Sequence, residues 1–147
     1  MKANTTFSLK NWDEKPFDEY EGGQKMTRAL VKYSYTGDLE GESNIEYLMV
    51  YNEDGTGSAT ALERVIGKIQ GRSGSFAVQH KTIFDAKSVQ EQWCIIPGSG
   101  TGELKGLVGE GKISISGKGP YDLSFNYEFN HLYKKEHLLH NLNAIRD

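Results

Sequence analysis

The stretch "IIPGSGTGELKGLVGEGKI", residues 95–113, decides the fold, because six of the fourteen residues from Gly98 to Gly111 are glycine. Such a run is either a phosphate-binding loop or a corner of an all-β structure. A dinucleotide fingerprint needs glycines that end a strand and open a helix of a βαβ unit, so that the helix N-terminus meets the pyrophosphate. Here "TGELKGLVG" has room for about one helical turn, with Thr101 a candidate N-cap, before "KISIS" resumes extended structure. No Lys-Ser or Lys-Thr follows the glycines, so a P-loop fails as well. The glycines are read as letting the chain turn and approach itself closely across one end of a barrel, which Leu104 and Leu107 plug.

Outward from this corner, short segments rich in β-branched and aromatic residues alternate with Gly, Asp, Asn and Ser clusters. Eight can be counted: 5–12, 25–36, 44–52, 57–69, 75–84, 89–96, 111–116 and 121–129. A polar loop through Pro16 and "EGG" is read between the first two. The last shows its period most clearly, with Tyr121, Leu123, Phe125, Tyr127 and Phe129 alternating with polar residues. Hairpin-length connections and even spacing predict an all-β fold, a closed eight-stranded antiparallel barrel over residues 1–130. The remaining "HLYKKEHLLHNLNAIRD", 131–147, places Leu138, Leu142 and Ile145 at helical spacing and reads as a short helix or frayed tail.

A length of 147 residues suits one domain. The formal charge of −3, with both signs interspersed, offers no basic stripe for nucleic acid or an anionic membrane. No run of about 18 apolar residues could span a bilayer, and "MKANTTFSLKNW" lacks the apolar core of a signal peptide. With one cysteine, Cys94, no intrachain disulfide forms, and a cytoplasmic protein is expected. His131, His137 and His140 lack the further ligands of a zinc set, and "GRSGS" sits in a hairpin turn where no nucleophile elbow belongs. Neither a metal nor a cofactor is expected.

The segments "PGSGTGELKGLVGEGKI" and "PYDLSFNYEF" resemble the corresponding stretch of the allene oxide cyclase and dirigent barrels. "WDEKPF", "EGESNIEYLMVY", "LERVIG", "GRSGSF" and "QH" resemble a bacterial family of uncharacterised barrel proteins. The resemblance covers roughly residues 7 to 129 and implies an eight-stranded antiparallel barrel and no particular activity. Its oligomeric relatives and the apolar stripe of the tail point to a homo-oligomer, most simply a dimer.

Alternation sorts the candidate site residues into inside and outside. In the fifth segment Phe76, Val78, His80, Thr82 and Phe84 share a face, and Lys81 belongs to water. In the sixth, Trp93 and Ile95 point inward and carry Glu91 with them, which turns Cys94 outward. Pairing through the "DAKS" turn would make His80 and Glu91 neighbours; such a pair is read first as a hydrogen-bonded core, with an acid–base couple as the alternative. Glu63 and Arg64 are adjacent, so one of them is interior: Glu63 would then want a cation or a Tyr, Arg64 would want Glu46, Glu91 or an anion. Tyr33, Tyr47, Tyr51 and Tyr127 add polar tips on apolar bodies. Two functions follow: a small, largely apolar ligand held in the barrel among Tyr47, Glu63 or Arg64, His80, Glu91, Trp93 and Tyr127, with isomerase or cyclase chemistry implied by the cyclase resemblance, or a solidly packed interaction module without catalysis.

Overall fold

The structure is a computed structural model that describes residues 1–115 and 117–130. Eight strands close into an antiparallel barrel in sequence order: β1 Lys2–Glu19, β2 Lys25–Gly37, β3 Leu39–Tyr51, β4 Gly57–Ile69, β5 Arg72–Phe84, β6 Val89–Ile95, β7 Leu107–Ile115 and β8 Tyr121–Phe129. The expected tail helix lies outside the described residues. No helix among those described is long and apolar enough to cross a membrane.

Period-two patterning explains most of the strands. In β2, Ala29, Val31, Tyr33 and Tyr35 are buried, and in β8, Leu123, Phe125 and Tyr127 are, with residues between them that are exposed or, at Ser34, half-buried. β1 differs from the sequence reading, which ended it at Trp12. It runs on through Pro16 to Glu19, with register shifts between Leu9 and Asn11 and between Pro16 and Asp18. The first bulge changes parity. Ala3, Thr5 and Phe7 point inward before it, and after it Trp12 and Glu14 take the inner face. Beyond Phe7, β1 outruns β8 and pairs with β2 alone.

The two barrel ends are unlike. A 3-10 turn, Gly102–Leu104, crosses one end and inserts Leu104, which with Leu107, Leu39 and Ile69 is wholly buried. Thr101 precedes that turn without capping it through its side chain; its hydroxyl instead bonds the backbone N–H of Ser75 at 3.0 Å. Gly74 makes this close approach possible, since a Cβ there would lie 2.0 Å from the Thr101 carbonyl oxygen. Gly111 serves packing instead: it sits between Trp93 and Phe125 on neighbouring strands, and the missing side chain lets those two rings meet at a centroid distance of 4.7 Å. At the opposite end the inward-facing Tyr51, Ala59, Phe84, Val89 and Ile115 are only half-buried. No inserted turn plugs that end among the described residues, and it is the mouth of the barrel.

Candidate functional site

Between the plug and the mouth the apolar interior is interrupted by three ionisable side chains. Glu63 from β4, His80 from β5 and Glu91 from β6 are 1%, 0% and 5% exposed, and they are the buried charged or titratable-ring residues apart from tyrosines among those described. Register brings them together: Ala61 pairs with His80, His80 with Trp93 and Thr82 with Glu91, so the three side chains occupy adjacent inward positions of three adjacent strands.

His80 Nε2 lies 2.7 Å from Glu63 Oε1, and His80 Nδ1 lies 2.9 Å from Glu91 Oε1. The first is an aligned hydrogen bond. The second is close in distance but off-line in angle, an ion-pair contact more than a hydrogen bond. Glu63 is satisfied on both oxygens, because Oε2 also accepts from the Tyr35 hydroxyl and the Ser43 hydroxyl, each at 2.6 Å. Glu91 is not. Tyr47 and Thr82 each donate to Oε1 at 2.8 Å, the same oxygen that faces His80, and Oε2 has no hydrogen bond among the described residues.

Burial by itself would lower the basicity of His80, yet the hydrogen bonds and negative charges of Glu63 and Glu91 outweigh it and push the imidazole pKa up to about 10. Burial likewise works to raise the Glu91 pKa, but His80, Tyr47 and Thr82 together hold it below the ordinary carboxylate value. Tyr35 and Tyr47 are pushed well up, first by burial and then by the carboxylate each one faces, so both remain neutral donors. Glu63 and Glu91 thus both favour the protonated imidazole of His80.

A second carboxylate cluster stands at the mouth. Glu14 accepts from the Trp12 indole N–H at 2.9 Å, from Thr27 at 2.6 Å and from Tyr51 at 2.5 Å. The Trp12 ring lies over Tyr47, with centroids 5.9 Å apart, and Lys25 Nζ sits 4.9 Å from the centre of the Tyr51 ring. The extension of β1 thus hangs an aromatic side chain beside the way to Glu91.

Of the residues singled out in the sequence, Tyr47, Glu63, His80 and Glu91 form one connected network, and Trp93 packs against it as the cross-strand partner of His80. The choice between Glu63 and Arg64 falls to Glu63, which takes both the cation and the Tyr that an interior carboxylate needs. Arg64 is exposed on the outer face, so it leaves the interior set, and Glu46 pairs with Arg28 instead. Tyr127 leaves the cluster too: its ring is buried, but its hydroxyl bonds Gln70 at the plugged end. Cys94 is exposed, as alternation requires. Tyr35, Ser43, Thr82, Trp12 and Glu14 were not singled out as site residues. The first three share parity with buried neighbours and could have been found by it, whereas the β1 bulge conceals the last two. Among the described residues no group of His, Cys, Asp and Glu could hold a metal ion.

A family profile described as "Protein of unknown function (DUF3224)" matches residues 3–127. No curated protein matches the chain. Among solved structures, the chain is similar to the crystal structure of a protein with unknown function from the DUF3224 family of Shewanella oneidensis MR-1. The two share 30% identity over 88% of this chain and 98% of that one, with a TM-score of 0.72. On the extent of the profile match and this shared barrel, the chain belongs to the DUF3224 family.

Proposed function

We propose that the protein binds a small, largely apolar molecule at the open mouth of its barrel, where Glu91 and the Glu63–His80 pair behind it meet the ligand. The observation that carries this reading is the asymmetry of the buried network. Three ionisable groups inside a barrel are poor value for stability compared with apolar side chains of similar volume. Clusters of buried groups with displaced pKa values gather where a protein meets its ligand. Both oxygens of Glu63 are bonded, whereas His80 Nδ1, Trp93 Nε1 and Glu91 Oε2 lack an aligned hydrogen bond among the described residues, and Glu91 is the carboxylate on the mouth side.

The interior around Trp93, Phe76 and Phe125 is packed by those rings, so a ligand would have to sit at the mouth, toward Trp12, Met49, Tyr51 and Phe84. If the bound molecule is also a substrate, the arrangement suits an isomerisation or cyclisation of the kind the cyclase resemblance implies. Glu91 would take a proton from one carbon and return it to another, with no oxidant required, while His80 and Glu63 buffer the change in charge. The alternative, a packed barrel acting only through its outer surface, is favoured by that same ring packing in the plugged half.

The neutral dye N-phenyl-1-naphthylamine separates the two. On the ligand reading its fluorescence rises with protein, and the Trp12 indole N–H resonance, assigned with Trp12→Phe, shifts during titration. A dye that moves only resonances on the outer face, or none, removes the ligand reading.

A further inference from the structure

The charge of the buried network defines the class of ligand more narrowly, an inference that rests on the ligand reading above. Both ring nitrogens of His80 face a carboxylate oxygen, at 2.7 and 2.9 Å. Two proton arrangements satisfy that geometry. Either an imidazolium stands between two carboxylates, or a neutral imidazole donates to one carboxylate and accepts from the other as a carboxylic acid. In both the three side chains sum to one negative charge. No buried Lys or Arg among the described residues offsets it.

That uncompensated charge has one outlet. The Glu91 side chain is 3% exposed, against 0% for Glu63 and 1% for His80, and its Oε2 is the carboxylate oxygen of the pair without a hydrogen bond. Glu91 Oε2 is not one of the sealed atoms left without a partner, which are His80 Nδ1 and Trp93 Nε1, so this oxygen can accept from a donor that arrives from solvent. The mouth in front of it is lined by aromatic faces, Trp12 over Tyr47 and Tyr51 against Phe84 at 5.3 Å, which attract cations through their ring quadrupoles. Tyr51 already attracts one, the Lys25 ammonium. The other mouth carboxylate, Glu14, carries hydrogen bonds on both oxygens.

We infer that the barrel mouth is selective for a small organic cation, an ammonium whose N–H groups bond Glu91 Oε2 while its apolar part rests among Trp12, Met49, Tyr51 and Phe84. The ligand brings the positive charge that the buried network lacks. A neutral donor of the same shape could bond that oxygen but would leave the charge uncompensated, and an anion would be repelled.

Three probes of one shape test this: benzylammonium, benzyl alcohol and benzoate, titrated at neutral pH and low salt by calorimetry, with the Trp12 indole resonance reporting the location. Benzylammonium is expected to bind at least about tenfold tighter than benzyl alcohol, in keeping with a desolvated ion pair next to aromatic faces, and benzoate not at all. Glu91→Gln should abolish that preference, because the amide keeps the shape and loses the charge. Equal binding of benzylammonium and benzyl alcohol at the mouth overturns the charge inference and spares the ligand reading. Binding of none of the three at Trp12 overturns both. If Glu91→Gln does not fold, raising the salt concentration with the unaltered protein replaces it: the benzylammonium preference must shrink, and an unchanged preference counts against the ion pair.

Discussion

His80→Gln isolates the contribution of the buried cation. The substitution keeps an amide able to bond one carboxylate and removes the positive charge that both Glu63 and Glu91 face. Breaking a buried ion pair by deleting one partner costs about 3–5 kcal/mol, chiefly because the remaining charge is stranded. With two carboxylates stranded the upper part of that range applies at pH 7, a fall in melting temperature on the order of 10 °C for a domain of this size. The carboxylates can escape by taking up protons, so the loss depends on pH in a calculable direction. The folded variant binds more protons than its unfolded chain, and its stability must rise as pH falls, by up to about 1.4 kcal/mol per unit.

The unaltered protein behaves differently over the same range. His80 is raised from 6.5 to about 10, so its contribution is complete below pH 6.5 and is lost as pH climbs from there to about 10. Glu91 is lowered, so its contribution is present above the ordinary value of 4.5 and disappears as pH falls through its depressed pKa. Between pH 4.5 and 6.5 the native protein holds a plateau where the variant slopes, and from pH 7 to pH 5 the variant gains more than the small rise of the native curve, so the gap between them narrows by up to about 2 kcal/mol. Urea unfolding followed by circular dichroism from pH 5 to 9 measures both curves. A loss below about 1 kcal/mol at pH 7, within reach of an ordinary hydrogen bond, would refute the picture of a cation shared by two carboxylates, as would a gap that does not change with pH.

The two glutamates should differ in the same assay. Glu63→Gln, which disturbs three hydrogen bonds on two saturated oxygens, is expected to cost about 3–5 kcal/mol, and Glu91→Gln, with one oxygen unpartnered, about 1–3 kcal/mol; the reverse order would contradict the asymmetry of the network. Gly74→Ala places a methyl 2.0 Å from the Thr101 carbonyl and should destabilise by at least about 1–3 kcal/mol, with amide exchange in residues 98–106 accelerated before the rest of the barrel. A homodimer is expected in sedimentation velocity, at twice the 16.4 kDa chain mass, with Leu62→Arg on the exposed outer face weakening it; a monomer at high micromolar concentration would end that expectation.

How much of this was legible before folding depends on what each strand offers as an anchor. β5 and β6 are joined by a four-residue turn, so their pairing, and with it the meeting of His80 and Glu91, could be read directly from parity. β4 could not be oriented. Ala61, Val65 and Ile69 face inward while Leu62 and Ile66, over half exposed, face out, so both faces look apolar and Glu63 cannot be told from Arg64 by pattern alone. The second half of β1 was hidden for a different reason. Its bulges break the alternation, and its many charges with Pro16 imitate a loop, although Pro16 lies where β1 has lost β8 as a neighbour and faces only β2. The unpartnered oxygen of Glu91 has no trace in sequence, since it depends on which of two oxygens three neighbours reach.

The ladder between β1 and β8 forces the barrel to close late during synthesis. Every other seam joins strands consecutive in the chain, whereas this one couples Lys2 to Asn126 and Phe7 to Tyr121. A growing polypeptide can zip β2 to β5 as hairpins while still attached to the ribosome, but the cylinder cannot seal until β8 has left the exit tunnel. Until then β1 exposes an unpaired edge, and the Glu63–His80–Glu91 cluster, already supplied by strands four to six, waits in a sheet open to water. Closure is therefore the step that dehydrates the whole cluster at once, and it waits on the last strand of the barrel.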